Sequence, residues 1–175
     1  MSFYRSRDLF EQEIKKYILE VFKALSKAIN IDDIVVSFQD KNQHPPKFTK
    51  GKMYIYSFWL ETETAPLKIG KAGPNSIARY TSHHYNMNSS NSCLAKRIAE
   101  DSAFKDKYGI NKDISSEQLN RWIRENCYRI NIEMPYDIEN GFDLYTLELV
   151  EAILHNLFPP IYEGTTNQQA RNEKV

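Results

Sequence analysis

Tyr56, Lys68, Arg79 and His83 fall in order along one stretch of the chain, and all four are able to handle protons or phosphate. A guanidinium such as Arg79 presents a fixed fork of donors that suits the non-bridging oxygens of a phosphate. A tyrosine acts as a base only as phenolate; free tyrosine titrates near ~10, so Tyr56 needs nearby positive charge to lower that value. A carboxylate follows far downstream: Leu147, Glu151, Leu154 and Phe158 recur at helical spacing, which sets Glu151 in an apolar stripe. An ionised carboxylate buried without a partner is costly, so Glu151 either pairs with a cation or binds a metal. Glu148, on another meridian of the same helix, is the alternative. Tyr54, Lys71 and His84 are secondary candidates beside these.

The elements that must position them are legible in the pattern. Met53 to Trp59 and Leu67 to Gly70 read as two short strands joined by a polar loop through Glu61 to Pro66. Tyr54, Tyr56 and Phe58 share one face, and Lys68 can face the same side across the strand pair. Gly70 to Pro74 breaks the second strand and lets backbone approach a ligand closely. Asn75 or Ser76 then caps a helix on which Arg79 and His83, four residues apart, lie on one face.

Apolar positions from Phe10 to Ile29 predict a long amphipathic helix over residues 7–29, and residues 34–38 a short strand. Residues 40–51 are a polar loop with Pro45-Pro46 and three lysines. Past a polar loop at 86–92, with Ser92 as cap, one helix spans about 94–107; a second follows the capping box of Ser115 and Gln118. Tyr128, Ile130, Ile132 and Met134 alternate with polar residues as in a half-buried strand, the expected third of the sheet. Asn140-Gly141 turns the chain, Asp143 caps the last helix, and Pro159-Pro160 ends it near Phe158.

At 175 residues and 41% hydrophobic, the chain suits one compact domain. No apolar run approaches the ~20 residues needed to cross a bilayer, and the charged amino terminus is unlike a signal peptide, so a soluble, cytoplasmic protein is expected. Cys93 and Cys127 stand far apart, which fits buried free thiols rather than a disulfide or zinc framework. The net charge is zero, but residues 41–131 carry 15 basic and 8 acidic side chains against 6 and 7 in residues 1–40 and 2 and 8 in residues 132–175. Such concentration suits phosphate contacts.

The order of these residues resembles the core of the GIY-YIG nucleases. Tyr54-Ile55-Tyr56 stands for the first triplet, Lys68-Ile69-Gly70 for the second, Arg79 and His83 for the helix pair, and Glu151, in ELVEAILHNLFPP, for the distant glutamate. Tyr54 replaces a glycine, and Lys68 replaces a tyrosine, as in some restriction-enzyme members of the family. The resemblance implies an α+β fold with a small, about three-stranded antiparallel sheet flanked by helices. It divides the chain into an N-terminal helix and basic arm (1–50), a nuclease core (51–165) and a tail (166–175). It implies hydrolysis of double-stranded DNA by a restriction-type endonuclease, acting as a homodimer with one Mg2+ (or Mn2+) per site. In that chemistry a water is deprotonated, phosphate charge neutralised and the leaving oxygen stabilised. Tyr56, or Tyr54, is the base, with its proton affinity lowered by Lys68; Arg79 clamps phosphate; His83 holds a phosphate or relays the proton; Glu151 binds the metal. Asn167 is the candidate for the family's asparagine. Lys47, Lys50, Lys52, Lys96, Arg97, Arg121 and Arg124 are the candidate DNA contacts. The altered triplets motivate a second reading, a catalytically inactive DNA- or protein-binding module of the same fold.

Overall fold

The computed structural model describes residues 7–42, 44, 47–90 and 93–162. Four antiparallel strands form one sheet, Val35–Gln39 (β1), Lys52–Trp59 (β2), Lys68–Ala72 (β3) and Tyr128–Pro135 (β4), in the order β1-β4-β2-β3. The fold is α+β as expected, with four strands in place of three, because β1 pairs along β4 from Val35↔Glu133 to Gln39↔Arg129.

Every side chain of β2 from Met53 to Trp59 is buried, because the sheet is covered on both faces. Met53, Ile55 and Trp59 pack on one side with Phe10, Ile14, Ile18 and Phe22 of helix α1 (Arg7–Ala24) and with Leu147, Val150 and Leu154 of helix α6 (Leu144–Leu157). Tyr54, Tyr56 and Phe58 point the other way, as the period of two requires. They meet helices α2 (Ile77–Thr81), α3 (Leu94–Glu100) and α5 (Ser116–Asn126) through Tyr80, Leu94, Ile98, Leu119 and Ile123. Ser57 on the apolar side accepts the Trp59 indole N–H at 2.7 Å.

Two expected helices are shorter than the apolar pattern suggests. Helix α1 stops at Ala24, two residues before Ser26 turns left-handed at φ 55°. The helix expected over 94–107 divides at Asp101, whose carboxylate accepts the Phe104 N–H at 2.9 Å and starts helix α4 (Ser102–Lys107). An aspartate that captures a backbone N–H three residues ahead competes with helix continuation. Ser92 lies outside the described residues; the Cys93 sulfur accepts the Lys96 N–H at 3.3 Å and caps α3. Elsewhere local chemistry acts as read: the Ser115/Gln118 capping box is complete, and Asp143 accepts the Thr146 N–H at 2.7 Å at the start of α6. Cys93 and Cys127 are buried free thiols.

Candidate active site

Tyr56 is fully buried in the middle of β2, opposite Gly70 of β3 and Asn131 of β4. Its ring lies over the Gly70 backbone: a Cβ there would stand 2.8 Å from Tyr56 Cε2 and 2.9 Å from its hydroxyl. The strand break expected at Gly70 is absent, since β3 pairs on to Ala72, and the glycine expected to admit a ligand admits the tyrosine instead. Lys68 was expected opposite Tyr56; it faces Phe58 in the register instead, on the same side of the sheet, buried, with its charge acting on His84.

The helix carrying Arg79 is too short to bring His83 onto the same face. Ser82, at φ −134°, leaves helical geometry, and His83–Tyr85 form a separate 3-10 turn. This correction hands the tyrosine contact to His84, whose Nε2 is 2.8 Å from the Tyr56 hydroxyl; His83 is half-buried and offers its carbonyl to Ser89 Oγ at 2.5 Å. Nδ1 of His84 accepts the Leu94 N–H at 3.3 Å. In a neutral imidazole that leaves the proton on Nε2, which therefore donates to the Tyr56 oxygen. Burial, with the charges of Lys68, Arg129 and Arg79, holds the His84 pKa well below the ordinary histidine range and keeps it neutral.

Burial likewise pushes Tyr56 up to about 12, against the lowering charges of Arg79 and Arg129, while Glu151 raises it further. The expected depression is reversed in this state, and Lys68 is not among the charges that act most on it. Tyr54 is engaged elsewhere: its hydroxyl accepts the Thr49 N–H at 2.9 Å and its ring stacks on Tyr80 at 4.0 Å.

Glu151 is not a fully buried member of the α6 stripe. Its side chain is 20% exposed and its Oε2 lies 2.8 Å from Lys71 Nζ, which also reaches Glu148 at 3.5 Å. Lys71 pairs with Ile55 in the register, so it projects on the α6 side of the sheet. Beside this pair opens a cleft of about 430 Å³, whose lining includes Lys71, Ser76, Arg79, Tyr136, Leu144 and Glu148. Among the described residues no three His, Cys, Asp or Glu side chains gather as a metal site. The donors at hand, carboxylates one helical turn apart, fit a hard cation that keeps most of its waters.

The basic residues read as DNA contacts do not form a uniform set. Lys47, Lys50 and Arg121 are exposed. Lys52 reaches Glu133 at 3.6 Å and Lys96 reaches Glu100 at 3.9 Å. Arg97 is half-buried, and Arg124 stacks on Tyr85 at 4.1 Å while donating to Asn120. Asn167 lies outside the described residues.

Sequence reasoning missed Arg129. It reads as a solvent-facing residue of a half-buried strand, yet Arg129 and Asn131 are each only 3% exposed, because β4 is an inner strand between two packed layers. The pairing of β1 with β4 was the signal: a strand with neighbours on both edges has no wet face beneath helices on both sides. Among the described residues, no helix is long and apolar enough to cross a membrane. Neither the protein-family models, nor the curated proteins, nor the solved structures contain a match to this chain.

Proposed function

We propose that this protein is a metal-dependent endonuclease that hydrolyses phosphodiester bonds of double-stranded DNA, of restriction type, in the manner of the GIY-YIG nucleases it resembles. The observation that carries the reading is the gathering around Tyr56: its oxygen meets His84 Nε2 at 2.8 Å and lies in the field of Arg79, whose side chain also lines the cleft shared with Lys71 and Glu148. The His84 donor and the positive charges of Arg79 and Arg129 work against burial and favour the anion of Tyr56, the form able to take a proton from water. Arg79, exposed at the cleft, is free to swing to a non-bridging phosphate oxygen. His84 orients Tyr56 and, as a donor through Nε2, does not take its proton. Glu151, with Glu148 one turn earlier, would hold a Mg2+ or Mn2+ ion, which supplies charge neutralisation at phosphate and leaving oxygen when bound. Lys71 occupies Glu151 and would yield it. Cutting both strands calls for two sites, hence a homodimer on DNA.

The test is incubation of the purified protein with unmodified phage DNA, with magnesium and with chelator, beside Tyr56→Phe and Glu151→Ala. Discrete fragments that disappear with chelator and in both variants are expected. The ion pair of Glu151 with Lys71 favours one other reading, a DNA-binding module whose carboxylate serves structure. Uncut DNA in every lane, retarded in a gel by the protein, would replace the nuclease reading with that one.

A further inference from the structure

Arg129 lies beneath Tyr56 and is 3% exposed, and none of its three guanidinium nitrogens meets a hydrogen-bond acceptor among the described residues. Its Cζ stands 4.6 Å from the ring centre of Tyr56, 4.5 Å from that of Tyr80 and 5.3 Å from that of Phe58. Taking an ion out of water is costly, and the three rings answer that cost with cation–π attraction alone, leaving every guanidinium nitrogen without an acceptor among the described residues. The carboxylate in the small recess beside Arg129, Asp40, is paired with Arg7.

A buried cation with no carboxylate at salt-bridge distance among the described residues gains a counter-charge when a facing acid ionises. The groups facing Arg129 are Tyr56 from β2, Tyr80 from α2, Gln39 and Asp40 at the end of β1, Tyr85, and Arg124 and Cys127 at the end of α5. Burial pushes the Cys127 thiol and the Tyr80 phenol up, and among the described residues no hydrogen-bond donor reaches either. Tyr56 differs, because His84 already points a donor at its oxygen and the charge of Arg79 acts on it, with Glu151 from α6 as the opposing charge. We propose that Arg129 is a positioning residue for Tyr56, holding its ring from below and acting as the fixed, buried counter-charge of a Tyr56 phenolate. This rests on Tyr56 being the proton acceptor of the site.

The experiment is an NMR titration of the full chain, labelled with 13Cζ tyrosine and 15Nε arginine, from neutral pH to the alkaline limit of the folded state. Loss of signals in Tyr56→Phe and Arg129→Lys assigns the two resonances. The Arg129 Nε resonance is expected to move in step with Tyr56 Cζ, and Arg129→Gln to shift Tyr56 ionisation upward by about tenfold in proton concentration or more, with Arg129→Lys restoring most of it. An Arg129 resonance that stays fixed while Tyr56 ionises, or a Tyr56 that never ionises in the folded state, overturns the proposal; both are read on the unaltered protein, so they hold even where Arg129→Gln does not fold. The titration needs no cleavage. Coupled resonances in a protein that cuts no DNA leave the Arg129 assignment standing and remove the nuclease reading, and uncoupled resonances in an active nuclease do the reverse.

Discussion

Two neighbouring histidines differ in what they touch. His84 bridges the Leu94 N–H to the Tyr56 hydroxyl, while His83 meets neither. His84→Gln is expected to lower DNA cleavage on the order of 10²-fold, with His83→Gln near wild type; equal losses in a kinetic assay would sink the assignment. Because the folded-state pKa of His84 is depressed, the stability it contributes is present above the ordinary value of 6.5 and is lost as pH falls below it. Acid-induced unfolding should accordingly begin at lower pH in His84→Gln, measured by urea melts across the acid range. With Tyr56 pushed up to about 12, the phenolate fraction grows tenfold per pH unit below that value, so the cleavage rate should rise with pH through neutrality without an acid limb from His84. A rate independent of pH there would count against Tyr56 as base. The sequence made Tyr56 and Arg79 legible, since order and type carry them. It led to His83 because a spacing of four means a shared face only while the helix continues, and Ser82 ends it.

At the scale of elements, β3 does two jobs on two faces. Gly70 opens space for the Tyr56 ring, and Lys71, pointing to the other side, meets α6. A methyl group at position 70 would stand 2.8 Å from a ring atom of the fully buried Tyr56, which must shift to admit it, so Gly70→Ala should cost about 1–3 kcal/mol and displace the Tyr56 hydroxyl from His84. Thermal melts and the Tyr56 resonance check this together; a variant as stable as wild type with an unmoved resonance would contradict the contact. On the other face, the Lys71 ammonium competes for Glu151. Lys71→Met is expected to tighten Mn2+ binding in calorimetry, and unchanged binding would argue that Glu151 does not hold the metal. β1, β2, β4, the capping box and the α6 cap were legible, because each is fixed by neighbours within a few residues, whereas β3 runs past the expected break at Gly70 to Ala72 because β2 pairs with it that far. The division of the helix at Asp101 and the identity of Glu151's partner were not. One turns on a side-chain contest with the backbone, the other on which strand α6 crosses.

For the whole molecule, the open question in the sequence was whether residues before the first triplet are an appendage. In the structure they are part of both the sheet and its cover. β1 closes the edge of β4 and so buries Arg129 from that side, while α1 lays Phe10 edge-on to Trp59 at 6.3 Å and close to Phe158 at 5.5 Å. The pattern revealed α1 as amphipathic but not what it covers, since a helix stripe names no partner. Phe10, Ile14, Ile18 and Phe22 of α1 are all buried, and each is worth about 1.5–3 kcal/mol in burial. Together that is of the order of the whole stability of a domain this size, about 5–15 kcal/mol. A chain beginning at residue 41 would also leave the hydrogen-bonding edge of β4 open beside an uncovered Trp59. It is expected to lack near-ultraviolet circular dichroism and a cooperative melt, whereas Ile18→Ala in the full chain, losing about 2–5 kcal/mol, should still melt cooperatively at a lower temperature. A shortened chain that melts as sharply as the full one would mean that the candidate site stands without the first forty residues. Its buried Arg129 would then be held by the rings and α5 without help from β1.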